Sequence, residues 1–151
     1  MEAVEVINRL GLRPLPREGG MFRQYYADAN STAIYFLVTP GDYSALHRLT
    51  TPEIYHFYVG APLAVLLLHP DGRVDRAILG PDLAAGQVPS LVVVAGVWQG
   101  SATTGDWSLV GTTMAPGFRP EMFELGDQAD LVERYPEAVA EIARLTRPPA
   151  F

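Results

Sequence analysis

The chain has 151 residues and a mass of 16.5 kDa, the length of one domain built around one buried core. Hydrophobic residues make up 48% and charged residues 19%, which excludes disorder by composition, and every apolar run is strand-sized rather than bilayer-sized. There is no Cys and no Lys, which excludes disulfides, thiolate nucleophiles, cysteine-ligated metals and Schiff-base chemistry, and a formal charge of −6 argues against nucleic acid as a partner. Catalysis, if any, falls to His, carboxylates, Tyr, Arg or a metal. The opening residues carry Glu2, Glu5 and Arg9 in an amphipathic pattern rather than a basic start and an apolar block, so the expectation is a cytoplasmic protein with no membrane partner.

In chain order, Val4, Ile7 and Leu10 recur on one face of a helix predicted over 3–10, and Gly11 stands where a left-handed cap would close it. From Gly20 to Ala115, β-branched and aromatic residues dominate, broken by turn clusters at 28–31, 40–42, 70–72, 81–86 and 100–105. Strands are predicted over 21–27, 32–39, 44–47, 54–59, 63–69, 74–79, 91–94 and 107–114. His69-Pro70-Asp71-Gly72-Arg73 reads as a hairpin with Gly at a position that accepts positive φ. Helices return over 128–134 and 137–145, with Pro136 at the first turn of the second and Glu133, Glu137 and Glu141 spaced as a solvated face. No repeat or linker interrupts residues 1–151, so one mainly β domain is expected, a sandwich or closed barrel with a short N-terminal helix and C-terminal helices.

The densest cluster of His, acid and aromatic residues lies between Gly41 and Gly60. Side chains two apart on a strand share a face, so His47 and Leu49 should point one way, Glu53, Tyr55 and Phe57 should share a face, and His56 should point away. His56 is therefore expected to be a hydrogen-bonded structural residue, as is His69 at its hairpin. The spacing Gly41, His47, Glu53, Gly60 resembles the first cupin motif, with Leu49 where that motif has a second His. Val94-Ala95-Gly96-Val97-Trp98-Gln99 echoes the second motif, with Gln99 in place of its metal-binding His.

A closer resemblance spans nearly the whole chain. Glu18-Gly19-Gly20-Met21-Phe22-Arg23, Ser31-Thr32-Ala33-Ile34-Tyr35-Phe36-Leu37, His47-Arg48-Leu49, Glu53-Ile54-Tyr55-His56-Phe57, Ala95-Gly96-Val97-Trp98-Gln99-Gly100 and the block from Leu109 to Phe118 are similar, in order, to the cupin-5 family of small cupins. The resemblance implies a double-stranded β-helix (jelly-roll) barrel, commonly a homodimer, related to nucleotide-sugar epimerases. Arg17 departs from the family pattern, in which a Pro after a His often precedes the Glu-Gly-Gly.

Two of the four positions that hold a metal in cupins are here Leu49 and Gln99, so no cofactor is expected, and a weak divalent metal on His47, Glu53 and Gln99 is the fallback. A metal-free His and Glu in a barrel suit proton transfer: His47 as base, Glu53 as its orienter and Tyr55 or Tyr35 as the opposing acid. Arg23 is placed as a clamp for a carboxylate or phosphate, Trp98 and Gln99 as a wall for a flat substrate, and Phe57 and Glu18 beside the pocket, although core packing is the plainer role for Phe57 and Trp98. The leading expectation is a cupin that binds a small polar organic molecule and isomerises or epimerises it. The alternatives are a non-catalytic metabolite-binding or sensing cupin, and a metal-dependent dioxygenase or lyase that needs Gln99 or His56 to complete its ligands.

Overall fold

The structure is a computed structural model that describes residues 1–147. Helix α1 (Ala3–Leu10) closes at Gly11, which sits at φ 66° and ψ 40° and donates its N–H to the Ile7 carbonyl. The strands among the described residues are β1 (Arg13–Pro14), β2 (Met21–Ala27), β3 (Thr32–Val38), β4 (Ser44–Leu49), β5 (Glu53–Gly60), β6 (Leu63–Leu68), β7 (Val74–Leu79), β8 (Ser90–Val93), β9 (Trp98–Thr103), β10 (Ser108–Met114) and β11 (Phe123–Leu125). Helices α2 (Gln128–Arg134) and α3 (Val139–Arg144) follow. The strands form two antiparallel sheets, six-stranded β1-β2-β3-β10-β5-β8 and five-stranded β11-β4-β9-β6-β7. This is the mainly β jelly-roll with flanking helices that the sequence predicts.

Alternation along the strands sorts the side chains into layers. Between the sheets, Phe36, Val38, Tyr55 and Val110 meet Leu63, Val65, Leu67 and Leu79 in one apolar core. On the back of the five-stranded sheet, Leu46, Leu66, Leu68 and Trp98 are covered by Leu131, Tyr135, Ala138 and Ile142 of the C-terminal segment. On the back of the six-stranded sheet, α1 sets Val6 against Leu37 and Leu109, with Leu12 beside them, while Tyr25, Ile54, Tyr58 and Val92 remain exposed. No helix of the described residues is long and apolar enough to cross a membrane.

Three features differ from the sequence expectations. Strand β9 runs through Gly100 and Ser101, where a turn cluster was expected. Its small residues reflect close packing, because Leu46 lies over Gly100 and leaves no room for a Cβ, while β4 and β6 supply ladder partners on both sides. Strands β1 and β11 have two and three residues, too few to show a period. Glu141 is not simply solvated: its carboxylate accepts from Arg76 Nε at 3.0 Å and Nη2 at 2.6 Å, orienting α3 on β7.

Candidate active site

At one end of the barrel the apolar core gives way to a cavity of about 330 Å³, near the lower end of ligand-pocket sizes. Its walls are mostly apolar and include Phe22, Ile34, Leu49, Met114, Phe118 and Phe123. The polar groups that reach it are Glu18, Gln24, His47, Glu53 and Thr112, with Arg17 beside them. Strand alternation aims these groups: His47 and Leu49 face inward from β4, Glu53 from β5, Phe22 and Gln24 from β2, and Thr112 and Met114 from β10.

Glu18 comes from the loop between β1 and β2, which folds tightly onto β4. Gly19 and Gly20 take φ values of 97° and 77°, and a Cβ on Gly20 would run into the Phe36 ring, so only glycine fits there. The Glu18 carbonyl accepts from Ala45 N–H at 2.9 Å, and the Gly20 N–H donates to Asp42 Oδ1 at 2.9 Å. The loop is thereby fixed, and the Glu18 carboxylate accepts from Ser44 Oγ at 2.7 Å.

His47 is 2% exposed and held in one tautomer. Its Nδ1 lies 2.7 Å from the Ala45 carbonyl oxygen, which can only accept, so Nδ1 carries the hydrogen and the neutral ring leaves Nε2 with a free lone pair. That Nε2 lies 3.7 Å from Glu18 Oε1, a countercharge for an imidazolium. The ring stacks on Phe123 with centroids 5.1 Å apart and planes at 18°. The orienter expected from the sequence was Glu53. The structure assigns that role to the Ala45 carbonyl, because it lies in reach of Nδ1 on the same strand.

Glu53 has a different task. Burial pushes its carboxyl up to about 7; the His47 imidazole draws it down, the Glu18 carboxylate pushes it further up, and the polar side chains of Thr112 and Gln99 draw it down. Its Oε1 is buried and has no hydrogen-bond partner. Beneath it, Tyr55 Oη donates to Gln99 Oε1 at 2.5 Å, which leaves only the amide N–H groups of Gln99 to offer Glu53. Burial, with the nearby Glu53 and Glu18 carboxylates, raises Tyr55 well above the usual phenol range.

Several residues expected at the site lie elsewhere. Tyr55 and Phe57 face inward but belong to the apolar core, and Tyr55 spends its hydroxyl on Gln99. Arg23 and Tyr35 face outward, since Phe22, Gln24 and Ile34 take the inward positions of their strands. Arg23 donates to the Leu10 carbonyl at 3.3 Å, and Tyr35 packs 4.4 Å from Tyr25 between ring centroids. Because Gln99 faces inward, Trp98 faces the helical layer, with the Arg48 guanidinium 4.5 Å from its ring. His56 bonds Thr113 Oγ1 at 2.9 Å and His69 bonds Asp75 at 2.8 Å, both away from the cavity. Phe123, Thr112 and Gln24 line the cavity without having been singled out; alternation on β2 and β10 pointed to the last two, whereas nothing local marks Phe123.

A transition metal needs three or more converging donors. No group of three or more His, Asp or Glu side chains among the described residues is arranged to hold one, and Gln99, the candidate third ligand, has its oxygen bonded to Tyr55.

Comparison with known proteins agrees with this architecture. A crystal structure of a Shewanella oneidensis protein is 37% identical over 99% of both chains, with a TM-score of 0.91. A hypothetical protein from Leishmania major is 29% identical over 98% of this chain and 100% of its own, also at 0.91. A dTDP sugar isomerase from Desulfovibrio desulfuricans shares the fold at 24% identity and a TM-score of 0.57, over 77% of this chain and 80% of its own. No curated protein sequence matches. Residues 4–126 match the family model Cupin_5, described as "Cupin superfamily (DUF985)", and the chain belongs to that family.

Proposed function

We propose that the protein binds a small organic molecule in the barrel cavity and isomerises or epimerises it by proton transfer between His47 and Glu53. One observation carries this reading: in one largely apolar cavity, a lone pair on His47 Nε2 faces the same space as a carboxyl whose pKa burial raises to about 7. A base with a free lone pair facing an acid that burial keeps protonated is what a reversible shift of a C–H proton requires. His47 Nε2 takes the proton, Glu18 supplies the countercharge to the imidazolium, and protonated Glu53 returns a proton to the substrate. Neutral Glu53 also avoids placing a second full negative charge beside Glu18.

The test is solvent exchange. Protein in D₂O is incubated with panels of 2-oxo acids, aldoses and ketoses, and NMR follows loss of carbon-bound hydrogen. The expected outcome is deuterium uptake in one class, slowed about a hundredfold or more in His47→Gln. Uptake at the buffer rate throughout, or unchanged uptake in His47→Gln, would remove the catalytic reading. Saturable binding without exchange would then favour the non-catalytic binding module, a role the apolar walls also support. The exposed tyrosines and β-branched residues on the back of the six-stranded sheet support a homodimer through that face. A cytoplasmic place of work belongs to the same proposal, supported by small-molecule chemistry of this kind.

A further inference from the structure

We propose that Arg17 makes the cavity selective for a small organic anion, binding its carboxylate or phosphate at the rim while a hydroxyl of the same molecule enters between Glu18, His47 and Glu53. This rests on the cavity being the ligand site described above.

Three observations converge on Arg17. It is the one non-glycine residue with positive φ among the described residues, at 69°. The Glu18 N–H bonds the Pro16 carbonyl across it at 2.8 Å, forming a three-residue turn of a rare, strained kind. A bulky side chain held there at a conformational cost points to a use for that side chain, since Gly or Asn would fit the backbone better.

The guanidinium is also placed without a partner. Its central carbon lies 4.7 Å from the centroid of Phe123, the ring on which His47 stacks, and Arg17 lines the cavity. Among the described residues no carboxylate pairs with it, whereas Arg48, Arg76 and Arg147 each have one. The nearby acid, Glu18, is already committed to Ser44 and His47. An exposed guanidinium resting on an aromatic face keeps its donors available for a bidentate acceptor.

The buried groups of the cavity ask for the opposite chemistry. Glu53 Oε1 is buried without a partner, and His47 Nε2 is an acceptor. A hydroxyl suits both, since it can donate to His47 Nε2 and accept from the protonated Glu53 carboxyl, whereas an anion placed there would meet the Glu18 carboxylate. The apolar walls formed by Phe22, Ile34, Leu49, Met114 and Phe118 fit a hydrocarbon or ring body. The ligand class is therefore a hydroxylated organic acid or phosphate ester with an apolar middle.

The experiment measures binding by titration calorimetry with mandelate, its neutral amide mandelamide, phenylacetate, which lacks the hydroxyl, and benzyl phosphate. Wild-type protein is expected to bind mandelate or benzyl phosphate at least about tenfold more tightly than mandelamide, and whichever anion binds more tightly tells carboxylate from phosphate. Phenylacetate is expected to bind more weakly than mandelate. Arg17→Gly, which keeps the positive-φ turn, should abolish the preference for the anion and leave mandelamide binding unchanged, and Arg17→Lys should retain part of it. Equal binding of mandelate and mandelamide, an anion preference that survives Arg17→Gly, or no binding of either anion at millimolar concentration would overturn the proposal. These outcomes are independent of the exchange assay: a wild-type protein that exchanges but shows no anion selectivity sinks only the role of Arg17, whereas anion binding without exchange sinks only proton transfer.

Discussion

At the scale of single residues, Glu53 sets a measurable pH signature. Its folded value near 7 stands above the ordinary 4.5, so the folded state holds a proton that the unfolded chain has released across that window. Stability from this group is complete below pH 4.5 and falls as pH rises toward and past 7, by about 3 kcal/mol at most. Glu53→Gln should flatten that fall, so thermal melts of the two proteins should converge near pH 4 and favour the variant at pH 8. Parallel curves would mean that water or a counter-ion solvates the carboxylate. His47 and Glu53 were both legible as a pair because their spacing carries them, but their division of labour was not. Which atom meets Nδ1 depends on the Ala45 carbonyl, and a backbone oxygen leaves no mark in a sequence.

At the scale of elements, the loop from Leu15 to Gly20 presents both Arg17 and Glu18, and its geometry depends on Gly20. Gly20→Ala would place a Cβ against Phe36 and Leu37 at φ 77°, and should cost about 1–3 kcal/mol in chemical denaturation. Its expected companion is weaker ligand binding, since Glu18 moves with the loop. An unchanged denaturation midpoint would show that the loop is looser than its hydrogen bonds to Asp42 and from Ala45 imply. The long elements were legible: α1, β2, β7 and α2 fall on their predicted bounds, because Gly11, the turn clusters and an Asp127 side chain that accepts from Asp130 N–H at 3.0 Å mark their ends locally. Strand β9 was not, since Gly100, Ser101 and Ala102 carry a packing constraint imposed from outside the strand.

At the scale of the whole molecule, the two faces of the barrel have different fates. The five-stranded sheet is capped by α2 and α3, while the six-stranded sheet leaves Tyr25, Tyr58 and Val92 more than 40% exposed. Light scattering at micromolar concentration should return twice the monomer mass, and Val92→Glu should return the monomer; a monomeric wild type would assign that face another use. By itself, the sequence determined a mainly β domain of sandwich or barrel kind and the inward aim of His47 and Glu53, because hydrophobic period, turn residues and motif spacing are local properties of the chain, and the jelly-roll followed from the family resemblance. Only the tertiary structure decided which polar groups share one cavity. Arg17 with Glu18, Thr112 and Phe123 come from three separate segments, and closure of the barrel brings them together while the same alternation turns Arg23, Tyr35 and Trp98 away.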